Sequence, residues 1–144
     1  HTYYWGDIHL QNFGEKRGSQ ISPVKDAIDY GMKYTFHQDT PVIPPDMVRT
    51  ISSAVNRISR GGRVIGENQK ISVLDALKAV TIYAAYQYFE EHEKGSIECG
   101  KYADFVVLEK NPLETPKEEL AEIKVWMTIK ENEVIYRSGE ANHE

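Results

Sequence analysis

At 144 residues, with 40% hydrophobic and 27% charged residues, the chain is long enough for one domain that buries about two-thirds of its unfolded surface. A formal net charge of -5 leaves no basic stripe for phosphates, and the single cysteine, Cys99, excludes a disulfide framework or a cysteine-rich zinc site. No apolar run approaches the roughly 18 residues of a membrane span and no signal peptide leads the chain, so the expectation is a cytoplasmic protein without nucleic-acid or membrane partners.

The opening HTYYWGDIHLQNFGEKRGSQ carries aromatic residues without a helical start or stop, and predicts a strand end followed by a long loop. Within it, Asp7 and His9 beside Gly6 read as a turn. Ser22-Pro23 predicts a helix, with serine as N-cap, proline at the first helical position and Ile21 as staple. Val24, Ala27 and Ile28 form its inner face, and Gly31 stands at its end. Residues 32–36 (MKYTF) predict a short buried strand. Asp46 caps the next helix, with Met47, Ile51, Val55 and Ile58 on one stripe and Gly61-Gly62 as its stop. Ser72 and Asp75 form a capping pair before LDALKAV, and Thr81 caps a second short helix, IYAAYQYF.

Beyond a seam near residues 93–104 the pattern turns to β. FVVL at 105–108 reads as a buried strand whose start Asp104 fixes through backbone amides. KEELAEIK reads as a charged surface turn of helix. KVWMTIK and EVIYR form a hairpin turning at Glu131-Asn132, where asparagine accepts positive φ. The expected organisation is therefore a helix-rich segment, residues 1–94, and a β-rich segment, residues 95–144.

A helix, a glycine stop, a buried strand and a polar loop make one αβ unit of a parallel sheet or barrel. In such folds the loops after the strands carry the chemistry. FHQDTPV, residues 36–42, stands in that place. His37 and Asp39, at i and i+2 on extended backbone, face one side, and Thr40-Pro41 keeps a helix from starting there. Two readings of Asp39 stay open on local grounds: metal and proton chemistry, or an Asx-turn that shapes the loop. Local sequence alone leans to the turn.

Four stretches in order carry a resemblance. FHQDTPV is similar to a G-S-D-x-P-V segment, and ISVLDALKAVTIYAAY to an S-x-x-E-A-L-x-x-Y-T-x-x-x-A helix pair. KGSIECGKYADFVVLEKNPL is similar to K-G-S-L-x-x-G-K-x-A-D-x-V-V-L-D, and VWMTIKENEVIYR to a final T-x-x-x-G-x-x-x-Y hairpin with Asn132 in the glycine's place. Together they resemble the carboxyl-terminal region of metal-dependent amidohydrolases, in the subgroup of N-substituted formamide deformylases and exoenzyme-regulator-like proteins.

The resemblance implies an α/β fold: the last strands and helices of a TIM-type barrel plus part of a small β-sandwich domain. It implies a divalent ion, zinc foremost, at the barrel mouth. Asp39 matches the aspartate after the eighth strand, which binds the ion and accepts a proton from its water. His1 matches a substrate-contacting position after strand seven, and Tyr4, Trp5 and His37 join it as expected substrate contacts. The expected substrate is a small molecule with an amide-type bond. His37 and Gln38 replace the motif's glycine and serine, which puts bulk just before Asp39.

No H-x-H pair occurs, five of the expected ligands have no counterpart, and His9, His92 and His143 match no ligand position. The chain thus reads as about a quarter of the full enzyme, a piece that binds no metal by itself and self-associates through unpaired sheet edges. The alternative is a non-catalytic interaction or structural module derived from a hydrolase tail.

Overall fold

The computed structural model describes residues 1–139; His143 lies outside them. The chain folds as α1 (Thr2–Gly18), α2 (Val24–Asp29), α3 (Met47–Asn56), α4 (Val73–Val80), α5 (Ile82–Gln87), then β1 (Phe105–Leu108), β2 (Val125–Lys130) and β3 (Glu133–Arg137). Short 3₁₀ turns cover Glu67–Gln69 and Lys117–Glu122. The strands form one antiparallel sheet in the order β1-β2-β3. No helix among the described residues is long and apolar enough to cross a membrane.

The opening is a helix, not a strand end and loop. Its buried face is Thr2, Gly6 and Leu10, spaced four apart, with Tyr3 and Tyr4 half-buried and Trp5 and Phe13 exposed. A Cβ at Gly6 would lie 2.7 Å from Ile65 Cγ1, so the missing side chain is what lets α1 approach residues 59–65. Trp5, Ile8 and Phe13 are exposed on other faces, which hides the helical period. Gly14, at φ 75 and ψ 164, interrupts the helix before its last turn. Asp7 is therefore helical rather than in a turn; its Oδ2 accepts from the Gly61 amide at 3.2 Å. His9 stacks on Phe13 at 5.6 Å.

Residues 32–36 take no regular secondary structure and pair with no strand among the described residues, so the expected strand is absent. Tyr34 and Phe36 still pack on the core. Pro23, not Ser22, holds the N-cap position of α2, and Ser22 takes φ 49 instead.

Helix α3 is capped as expected, the Asp46 carboxylate accepting from the Arg49 amide at 2.9 Å. It ends earlier than Gly61-Gly62, at Arg57, whose φ of 53 turns the chain left-handed. The 1% exposed Arg57 side chain then runs inward. Its Nε donates to the Ile65 carbonyl, Nη1 to Ser22 O at 3.0 Å and Nη2 to Ile21 O at 2.7 Å. Three segments are joined by one guanidinium, and burial lowers its pKa. Of the expected stripe only Ile51 and Val55 are buried: Ile58 lies beyond the helix end, and Met47, its first residue, is exposed.

Ser72 caps α4 through the Asp75 amide at 3.1 Å, and its hydroxyl donates to the Asp75 carboxylate at 2.6 Å. Thr81 stands before α5 without a capping bond; its hydroxyl donates back to Leu77 O at 2.7 Å.

The core gathers Ile51, Val55, Ile71, Ala76, Leu120 and Ile123, with Leu108 packed against it. KEELAEIK is therefore more than a surface turn: its charged residues face outward while Leu120, 1% exposed, docks on this core. Strand β1 is half-exposed rather than buried, with Val106 59% exposed. The hairpin forms as expected, Glu131 and Asn132 taking φ 49 and 68. Asp104 secures it by accepting the Glu131 amide at 2.8 Å, while Asn132 N donates to Ala103 O at 3.2 Å.

Candidate functional site

The loop after residues 32–36 is anchored on both sides of Asp39. Gln38, 6% exposed, donates from Nε2 to Thr50 Oγ1 at 2.7 Å. Beyond Asp39, the Val42 amide donates to Asp39 O at 2.8 Å, and Thr40 Oγ1 to Ile43 O at 3.2 Å, with Ile43 buried. The Thr40–Pro41 bond is cis. Between these anchors Asp39 adopts φ 57, a left-handed conformation rather than the extended one expected. Asparagine and aspartate tolerate it best among non-glycine residues.

His37 and Asp39 nevertheless come together: Nε2 of His37 lies 3.5 Å from Asp39 Oδ1, with the side chains 81% and 57% exposed. Among the described residues, no backbone amide donates to the Asp39 carboxylate. The Asx-turn seen as the local alternative is therefore not formed, and the carboxylate is open to solvent and ligand. The bulk expected before Asp39 divides in two. Gln38 turns inward, and only His37 stands at the surface beside the aspartate.

A cleft of about 490 Å³ adjoins this loop, and its walls include His1, Tyr3, Tyr4, Phe36, His37 and Arg49. Three of the expected substrate contacts, His1, Tyr4 and His37, thus share one cavity. Trp5 and Asp39 do not line it; Asp39 reaches its edge through His37. Arg49 and Tyr3 were not legible as site residues. The guanidinium of Arg49 sits 5.0 Å from the Tyr3 ring centre and 3.7 Å from Asp46 Oδ2. The Asp46–Arg49 spacing of three on a helix was the available signal.

On the inner side of the same run, burial pushes the Tyr34 hydroxyl up to about 12, with Asp75 and Tyr83 adding to the rise. Tyr34 donates to Asp75 O at 3.3 Å. From Lys33 to Gln38 the backbone makes no hydrogen bond among the described residues. Neither side of this run is thus paired among the described residues.

No group of three or more His, Cys, Asp or Glu side chains with metal-binding spacing occurs among the described residues. Asp39 and His37 amount to two donors. A catalytic ion needs about three protein ligands and an open position. The residues of this chain alone therefore do not fit a catalytic metal.

Comparison with known proteins adds the following. The sequence model of the Amidohydrolase family matches residues 1–136. The N-substituted formamide deformylase of Arthrobacter pascens is 27% identical over 140 residues, covering 96% of this chain and 26% of its own. YtcJ of Bacillus subtilis strain 168 is 27% identical over 133 residues, 90% of this chain and 25% of its own. LONG AFTER FAR-RED 3 of Arabidopsis thaliana is 40% identical over 74 residues, 51% of this chain and 13% of its own. The crystal structure of an amidohydrolase from Thermotoga maritima MSB8 superposes with a TM-score of 0.61 at 23% identity, over 79% of this chain and 25% of that one. The chain spans about a quarter of the length of the first two curated relatives.

Proposed function

Because the chain belongs to the amidohydrolase family, we propose that it is the carboxyl-terminal portion of a metal-dependent hydrolase that opens amide- or formamide-type C–N bonds with activated water. In this reading residues 32–36 are the last barrel strand, whose unpaired backbone meets its neighbours in the longer protein. Residues 1–94 complete the barrel, and residues 95–144 belong to the small sandwich domain. Asp39 is the metal ligand and proton acceptor; His1, Tyr4, Trp5 and His37 contact a small amide-type substrate. The ion is zinc foremost, the setting is cytoplasmic, and self-association through sheet edges is included in the reading.

One observation carries the reading. The Asp39 carboxylate stands on a doubly anchored loop, within 3.5 Å of an imidazole, and no backbone amide among the described residues claims it. A carboxylate kept free of turn-forming bonds suits ligand and proton chemistry better than loop construction. The missing ion ligands would come from the rest of the longer protein, so no chemical step is derived from this chain alone.

The test is an assay of the isolated 144-residue chain with zinc or manganese against N-substituted formamides and simple N-acyl amines. The expected result is no turnover. Clear turnover that disappears in Asp39→Ala would overturn the reading that the chain supplies only a portion of the site.

A further inference from the structure

Gln38 stands immediately before Asp39, yet its side chain leaves the surface. Its Nε2 bond to Thr50 Oγ1, at 2.7 Å, is the first step of a relay. The Thr50 hydroxyl donates in turn to Asp46 O at 2.8 Å, and the Asp46 carboxylate accepts the Arg49 amide at 2.9 Å, closing the N-terminus of α3. The residue before Asp39 is thereby tied to the first turn of a helix whose inner face, Ile51 and Val55, is buried in the core. The rotamer of Thr50 is fixed by the bond of its hydroxyl to Asp46 O, which any hydroxyl-bearing residue here can make. On the far side, the Val42 amide holds Asp39 O at 2.8 Å. A non-glycine residue stays at φ 57 when its surroundings fix it there, and these are the two fixings.

We propose that Gln38, acting through Thr50, is a positioning residue that sets the direction of the Asp39 carboxylate. The proposal rests on Asp39 being the reactive carboxylate of the site. In the motif that FHQDTPV resembles, a serine occupies this place. Its hydroxyl sits on Cβ, whereas the Gln38 carboxamide extends two carbons further and spans the gap to α3. In this chain the residue at that position is held by a helix side chain, Thr50.

The test uses NMR on the 144-residue chain, reading the Asp39 HN–Hα coupling and the Val42 amide exchange rate. Loss of one neutral hydrogen bond raises local opening about fivefold. In Gln38→Met, Val42 exchange rises by that factor and the Asp39 coupling moves away from its left-handed value, while the Arg49 amide keeps its protection. Thr50→Val gives the same pair of changes, and Thr50→Ser, which retains the hydroxyl, restores both readouts. A merely structural role would loosen all these amides together and leave the Asp39 coupling where it is. Unchanged Asp39 and Val42 signals in Gln38→Met and Thr50→Val would overturn the proposal, as would equal changes in Thr50→Ser. Should Gln38→Met fail to fold, the Thr50→Val and Thr50→Ser pair decides alone. None of these readouts involves turnover, so a hydrolase indifferent to Asp39 and a loop indifferent to Gln38 are told apart.

Discussion

Replacing Asp39 by glycine separates a residue kept for chemistry from one kept to build a turn. The backbone at Asp39 has φ 57, and a left-handed residue with a Cβ costs roughly 1–2 kcal/mol. The side chain returns little of this. It is 57% exposed, and its partner is the His37 imidazole at 3.5 Å, an exposed pair worth about 0–1 kcal/mol. Glycine removes the left-handed cost but loosens the unfolded chain, at about 0.5–1 kcal/mol. Asp39→Gly should therefore lie between about 1 kcal/mol less stable and about 1.5 kcal/mol more stable than the parent, centred near neutral. Asp39→Ala keeps the strain and loses the pair, and should be destabilised by up to about 1 kcal/mol. Urea unfolding at neutral pH, read as the shift in midpoint at constant slope, measures both. Loss of more than about 1 kcal/mol in Asp39→Gly would refute the reasoning, because it would mean that the carboxylate holds the loop together.

Three further outcomes follow from the packing and the electrostatics. Leu120→Ala should cost about 3 kcal/mol, since the side chain is 1% exposed on the main core, whereas Leu113→Ala, at a 57% exposed site, should be near neutral; equal effects in denaturant titration would contradict the docking of residues 117–122. Arg57→Met should cost at least about 3 kcal/mol, because carbonyls of Ile21, Ser22 and Ile65 lose a charged donor, and a midpoint within error of the parent would refute the clamp. For Tyr34, whose folded value is raised from 10.0 to about 12, the fold favours the neutral hydroxyl, so its contribution is complete below pH 10 and is lost as pH rises toward about 12. Unfolding midpoints over that range should fall more steeply in the parent than in Tyr34→Phe, and parallel curves would show that Tyr34 does not contribute.

Features decided within a few residues were legible in the sequence. The Asp46 cap, the Ser72–Asp75 pair and the Glu131-Asn132 turn depend on bonds spanning three residues or on backbone preference alone. Features decided by distant partners were not. Helix α1 is recognised only once Gly6 meets Ser59 and Ile65, an approach that depends on a missing side chain and that no periodicity scale rewards. Residues 32–36 have the composition of a strand, but a strand needs a neighbour, and none is present among the described residues. In the site, His37 and Asp39 were found by spacing and by resemblance. The inward turn of Gln38 was hidden because its partner, Thr50, lies 12 residues away on a helix. Arg57 was lost for the same reason: its acceptors are 35 and 36 residues back along the chain.

The central proposal is that Asp39 is a reactive carboxylate of a metal-dependent hydrolase. On the proposed reading, its most direct test is the kinetics of a longer protein that contains this chain, supplied with zinc or manganese, on an N-substituted formamide, with Asp39→Asn beside the parent. This substitution keeps shape and hydrogen-bonding capacity while removing the proton acceptor and the charge. The account predicts that kcat falls by about 100-fold or more while KM stays within a few-fold. A variant that turns over substrate at the parental rate would contradict it.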